Sequence, residues 1–421
     1  MTAALRTGVG RISKLAGQLD AATPRHRDRV VDALRALAIA GVILGHWLVT
    51  ALVATGHGSG SAIHDASPLS TLPALTPLSW VFQTLAIFFL VGGYSAAKSY
   101  RAGPGRRPPG TPRGNYRAWL IKRLTRLSRP VTVLAVIWTL VVTVLFDAGV
   151  SWSTLHVLVT LVLDPLWFLG VFALLTAATP AAVGLVRRLG AAAALVPLTV
   201  VAWVDLLRFG PGHLAWLGWV NVLAGWLVPY LLGIAWARGS FAGRKVPALM
   251  LSGGVAATAA LILWAGYPAS MVGVNGAAIS NLNPPTLAAV TFGVAQVGLA
   301  LLLRGPLTRW TRRPLAWAAI AVANLSAMTL FLWHQTAFIT VTMLGSLFGR
   351  LPGLQTAPSS LAWIAERLAW LPAFAIVLGL LWVGFRRAEQ PRPRRDPSGR
   401  SGGRVDRPRD STRRPAHYVS Q

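Results

Sequence analysis

The chain has 421 residues, 54% of them hydrophobic and only 12% charged, with 18 Trp and no Cys. A soluble domain carries about twice that charge, and mean hydropathy is +0.55, so a soluble globular fold is excluded. The absence of cysteine also removes disulfides, thiolate nucleophiles and Cys-ligated metals.

Residues 1–29 read as a basic N-terminal tail. Apolar blocks of membrane-spanning length then predict ten spans, approximately 30–54, 78–97, 130–149, 165–186, 191–207, 215–237, 247–267, 286–303, 320–345 and 363–385. The first block is too long for the core of a signal peptide and is read as a retained span. Tryptophans suit the two membrane interfaces. The expected fold is all-α, a polytopic membrane protein of about ten transmembrane helices around a polar cavity, formed by residues 30–385.

A net charge of +28 would suggest nucleic acid in a soluble protein. Here all but four of the 40 Lys and Arg fall in the two tails and alternate connections. Arg208 and Arg350 lie in the opposite set, and Arg35 and Arg367 lie within spans. That one-sided bias places both termini in the cytoplasm, makes the protein multi-pass in the cytoplasmic membrane, and leaves no nucleic-acid partner expected.

The connection after the second span, RAGPGRRPPGTPRGNYR, is an extended basic segment leading into an amphipathic stretch, Trp119–Arg129. Its arginines are expected against anionic lipid headgroups, with an anionic substrate as the alternative. Residues 55–77 contain His57, His64 and Asp65; the histidine pair has ligand chemistry, but no neighbouring cluster completes a metal site, so none is expected. In the 268–285 loop, Asn283 before Pro284 and Pro285 reads as a helix N-cap, with acceptor recognition as the alternative. Residues 386–421 have little to bury and read as a disordered basic cytoplasmic tail. No internal repeat is evident, which weakens a transporter reading.

The first span carries the chemistry. Arg35 and His46 are eleven residues apart; at 100° per residue that returns to within roughly 20° of the starting direction and climbs about 16.5 Å. One helix face therefore bears a cation near one surface and an imidazole near mid-bilayer, and the pair is expected to look into a common chamber. Asp32, three residues before Arg35, can pair with it. The bland alternatives are a snorkelling arginine and an interhelical histidine.

Arg, ten residues, then His in the first span resembles the signature of the acyltransferase-3 family of integral membrane O-acyltransferases. The resemblance extends through FFLVGGY at Phe88–Tyr94, LWFLGVF at Leu166–Phe172, MVGVNGAAISNLNPPT at Met271–Thr286 and LFLWHQ at Leu330–Gln335. It covers most of residues 28–385 and looks closest to an actinobacterial-type branch. There is no His-x-x-x-x-Asp motif of the glycerolipid acyltransferases.

The resemblance implies acyl transfer from acyl-CoA, with acetyl-CoA a candidate, to a hydroxyl of a glycan, glycolipid or secondary metabolite of the cell envelope. No bound cofactor is implied. Arg35 near the cytoplasmic side suits the donor's phosphates, and neutral His46 suits a general base; an acyl-histidine intermediate is the competing mechanism. Tyr94 follows a glycine pair that permits close helix approach, and its hydroxyl is a candidate oxyanion donor, with an interhelical hydrogen bond as the equal alternative. Trp167 and Phe168 are candidates for the acceptor path, with membrane-belt aromatics as the alternative. Ser326, Thr329 and Trp333 form a stripe with His334 beside it, which either lines the site or packs against the bundle. Asp147, Asp164, Asp205 and Glu366 are the acids available to orient His46. A carrier or flippase using buried Arg and His is the functional alternative.

Overall fold

The computed structural model describes residues 13–24, 27–55, 62–101, 116–210, 213–274, 276–277 and 279–389. All of them fall in one compact unit, Met1–Glu389; the second unit, Gln390–Gln421, lies outside the described residues. So does His57, and so does the expected disordered tail beyond its first four residues.

In chain order the elements are α1 (Arg29–Val49), β1 (Ala51–Thr55), β2 (Ala62–Ala66), α2 (Leu85–Arg101), α3 (Tyr116–Asp147), α4 (Trp152–Leu163), α5 (Leu166–Ala177), α6 (Thr179–Leu189), α7 (Leu195–Phe209), α8 (Gly218–Ala237), α9 (Lys245–Trp264), α10 (Leu287–Leu302), α11 (Arg304–Trp310), α12 (Pro314–Leu325), α13 (Ala327–Ser346) and α14 (Leu361–Glu389). Short helical turns lie between β2 and α2. Among the described residues nine helical segments are long and apolar enough to cross a membrane, and there are ten if α10 and α11, bent by 53°, count as one span. The protein is an all-α polytopic membrane protein.

Several boundaries differ from the sequence expectation, four of them for a local reason. The first span stops at Val49, where Thr50 turns extended, and Ala51–Thr55 pairs antiparallel with Ala62–Ala66. An apolar run alone does not separate helix from strand. The segment before Asp164, expected as loop, is the helix α4, capped by the Ser151 hydroxyl accepting from Thr154 N–H. It continues past Pro165 into α5, so the span is Trp152–Ala177. The turn comes at Ala178, and Thr179–Pro180 starts α6, whose last turn holds Arg187 and Arg188. Finally, the ninth span is broken at Ser326, which separates α12 from α13.

The bundle is built around α2 and α8. A Cβ on Gly93 would lie 2.0 Å from the Tyr230 carbonyl oxygen, and one on Gly233 would lie 2.0 Å from that of Leu90. Only glycine permits this backbone contact, which is how small residues bring membrane helices together. Tyr230, Ile234 and Ala235 of α8 are fully buried. By contrast α3 and α14 leave Val136, Leu140, Val144, Ile376, Leu380 and Val383 exposed, an outer face suited to hydrocarbon.

Candidate active site

The entry to α1 is a chain of charged contacts. Asp28 accepts from Val31 N–H through Oδ1 at 3.3 Å and from the Tyr94 hydroxyl through Oδ2 at 2.7 Å. Asp32, buried one turn later, sits between Arg27 Nε at 2.5 Å and Arg35 at 3.2 Å. Arg35 also donates to Asn324 Oδ1 at 3.2 Å and to Ser95 Oγ at 2.8 Å. Residues of α1, α2 and α12 thus fix one guanidinium, and a partly buried charge is tolerable only when paired in this way. These contacts use only part of its five-donor fork.

Arg35 opens into a cavity of about 270 Å³ that is also lined by Arg123 and Arg126 of α3. Arg123 is steered there by the Ser95 carbonyl at 3.2 Å and Ser99 Oγ at 2.8 Å. The two arginines belong to the lead-in expected against lipid headgroups. That lead-in is instead continuous with α3, and its i, i+3 spacing turns both residues to the Arg35 cavity. Phe88, Phe168, Phe172 and Phe331 supply much of its apolar wall.

His46 lies in the last turn of α1, because the helix ends three residues later. It is therefore close to the end of the helix and not near its middle. It lines a second cavity of about 440 Å³ at the opposite end of α1 from Arg35. Gln335 Nε2–H donates to His46 Nδ1 at 3.2 Å. Thr50, Gln83, Asp164, Ser280 and Asn283 make this cavity polar, and Trp167 and Phe168 form an aromatic side. The common chamber expected for Arg35 and His46 is thus two cavities. Among the described residues, Phe168 and Phe331 are the side chains that line both. The climb of about 16.5 Å between the two α1 residues leaves room for that pair of rings.

The other expected site residues divide sharply. Trp167 and Phe168 do line the His46 cavity. Tyr94 lines neither: its hydroxyl is on Asp28, and its ring packs on Trp236 at 4.6 Å, so an oxyanion contact has no geometry. Asp32 holds Arg35 from behind and lines neither cavity. Ser326 is buried at the α12–α13 break, and Trp333 faces away to stack on Phe385 at 3.9 Å and 8°. His334 is fully buried behind His46, with ring centroids 5.1 Å apart and Nδ1 on the Phe331 carbonyl.

Among the acids, Asp164 lines the His46 cavity, whereas Asp205 anchors a loop. Asp205 accepts from Leu287 N–H at 2.6 Å, Asn221 Nδ2 at 2.9 Å and the Tyr267 hydroxyl at 3.0 Å. Burial, reinforced by the Asp205 charge, pushes the Tyr267 phenol above its ordinary value, so it remains a donor. The knot ties down the 265–286 segment, whose Val272, Gly273, Ser280 and Asn283 wall the His46 cavity. Thr286, and not Asn283, caps α10, its hydroxyl accepting from Ala289 N–H. The two prolines push Asn283 back from the helix start and leave it at the cavity. No group of three His, Cys, Asp or Glu among the described residues is placed to hold a metal.

The fold and its two facing cavities define a polytopic membrane protein with a charged site and an imidazole site on one helix. Residues 28–386 match the acyltransferase-3 family model, described as Acyltransferase domain, and the chain belongs to that family. It is an integral membrane O-acyltransferase. No curated protein and no solved structure matches the chain.

Proposed function

We propose that the protein moves an acyl group from acyl-CoA to a hydroxyl of a glycan, glycolipid or secondary metabolite. The carrying observation is the division of labour along α1. Three guanidiniums, from Arg35, Arg123 and Arg126, meet in one cavity, and a polar cavity with one imidazole lies beyond it. Phosphates of a CoA donor need cations that cannot be neutralised by deprotonation, which arginine provides. The cation-rich end faces the cytoplasm, where CoA thioesters are made.

In the reaction the acceptor hydroxyl oxygen attacks the thioester carbonyl carbon, the C–S bond breaks, and CoA leaves as thiol. His46 takes the hydroxyl proton and returns it to the departing sulfur. That role requires Nε2 free of hydrogen. Gln335 meets the other ring nitrogen, and turning its amide carbonyl to Nδ1–H leaves Nε2 as the base. Attack by His46 itself is the competing route.

The test is transfer of radiolabel from [acyl-14C]acyl-CoA into cell extract by the reconstituted protein, with products read by mass spectrometry. Transfer should fall about 10²- to 10⁴-fold in His46→Ala, the usual contribution of a general base. Undiminished transfer by His46→Ala would falsify the assignment, and label trapped on His46 would replace direct attack with an acyl-enzyme.

A further inference from the structure

We infer that Phe168 and Phe331 form the partition through which the donor's acyl end must pass, and that this pair selects which acyl groups are transferred. The inference rests on the acyl-CoA reading for its substrate, but the partition itself rests on geometry. Phe168 (α5) and Phe331 (α13) are 4% and 6% exposed, with ring centroids 5.4 Å apart. Rings at that separation are in contact. An acyl chain needs its carbons about 3.5–4.0 Å from ring atoms on each side, so none fits between them as they stand.

One leaf of the partition is fixed and the other is freer. Phe168 is braced by Phe88 at 4.7 Å and Phe89 at 5.3 Å. Phe331 is backed by the His334 ring at 5.8 Å, and His334 in turn lies 5.1 Å from His46. His334 is itself held through Nδ1 on the Phe331 backbone carbonyl. Among the described residues, however, the Phe331 ring meets two other rings, Phe168 and His334, whereas Phe168 meets Phe88, Phe89, Trp167 and Phe172 besides Phe331. Phe331 is therefore the leaf that swings. A small acyl group needs a small swing, and a longer chain must hold the rings apart along its length beside His46. The partition accordingly favours short acyl groups and keeps the cavities separate between turnovers.

The absence of cysteine makes a direct test simple. A single cysteine is placed at Val42, in the His46 cavity, in proteoliposomes of defined orientation, and a membrane-impermeant thiosulfonate is added to one side. With both rings intact, Val42→Cys should label from the side of the His46 cavity and at least tenfold more slowly from the arginine side. Adding Phe331→Ala, or separately Phe168→Ala, should abolish that difference. Equal labelling from both sides with the rings intact overturns the partition, as does a persistent difference in both alanine variants.

Acyl selection is read as CoA thiol released from acetyl-CoA and hexanoyl-CoA in native membranes supplemented with cell extract. The hexanoyl-to-acetyl ratio should rise at least tenfold in one of the alanine variants, with Phe331→Leu intermediate. An unchanged ratio in both overturns the selection. Release from neither thioester by the unsubstituted chain, with one-sided labelling intact, sinks the acyl-CoA reading and the selection while leaving the partition standing.

Discussion

Gln335 and His46 meet across the α1–α13 interface, with Gln335 Nε2 3.2 Å from His46 Nδ1. The contact assigns one ring nitrogen to the protein and the other to the cavity. Gln335 is 2% exposed and its Oε1 has no partner, so this amide can serve either tautomer by turning over. Gln335→Ala should lower kcat about 10- to 100-fold with little change in donor KM, the cost of losing one buried hydrogen bond to a reacting group. Gln335→Glu gives the sharper reading. A carboxylate beside Nδ1–H favours the imidazolium, so the acid limb of the kcat–pH profile should move to higher pH. An unmoved limb would leave Gln335 a packing residue.

Arg35 and Arg123 should act on donor binding. Each alanine variant should raise the KM for acyl-CoA about 10- to 100-fold, the range for a hydrogen bond to a charged group. Arg123→Lys should recover only part of this, because an ammonium lacks the two-pronged fork. Initial rates across a donor titration decide it; unchanged saturation would remove the phosphate role.

Gly93 sets the α2–α8 crossing. Gly93→Ala would drive a methyl to 2.0 Å from the Tyr230 carbonyl oxygen, and no side-chain adjustment relieves a backbone clash. It should lose monodisperse protein on size exclusion in detergent. Gly253→Ala on α9, where a Cβ meets nothing within 4 Å, should be neutral or slightly stabilising.

Asp205 accepts from three donors, Asn221 Nδ2 on Oδ1 and the Tyr267 hydroxyl and Leu287 N–H on Oδ2. Asp205→Ala removes both acceptors and leaves those donors unpaired, costing about 1–3 kcal/mol. The thermal midpoint should fall and the 268–285 loop should be cleaved faster by protease. If acceptor affinity falls while donor KM holds, the loop belongs to the acceptor side.

The spans were readable because uninterrupted hydropathy is a property of the chain itself. Their ends were less so: Ala51–Thr55 is as apolar as the helix before it, and only its pairing with Ala62–Ala66 makes it a strand. The angular match of Arg35 and His46 was computable from helix geometry. The rings between them come from α5 and α13, and no spacing within α1 reports that. The stripe begun at Ser326 ran across a helix break, so it assigned Trp333 to the site when that ring stacks on Phe385. Gln335, one step of about 100° beyond His334, is the neighbour that reaches the imidazole. Arg123 and Arg126 were visible as a basic run, but their direction depended on α3 starting at Tyr116.

That early start makes α3 a continuous helix of 32 residues with Pro130 inside it, roughly 48 Å long at 1.5 Å per residue and well beyond a ~30 Å hydrocarbon layer. Arg123 and Arg126 are on the same helix as Val136, Leu140 and Val144, which are exposed on its outer face. Thinning or thickening the bilayer is relieved by tilting or kinking such a helix, and a tilt should carry both guanidiniums with it relative to Arg35. On the acyl-CoA reading, lipid chain length should then act as a handle on donor affinity, applied from outside the protein.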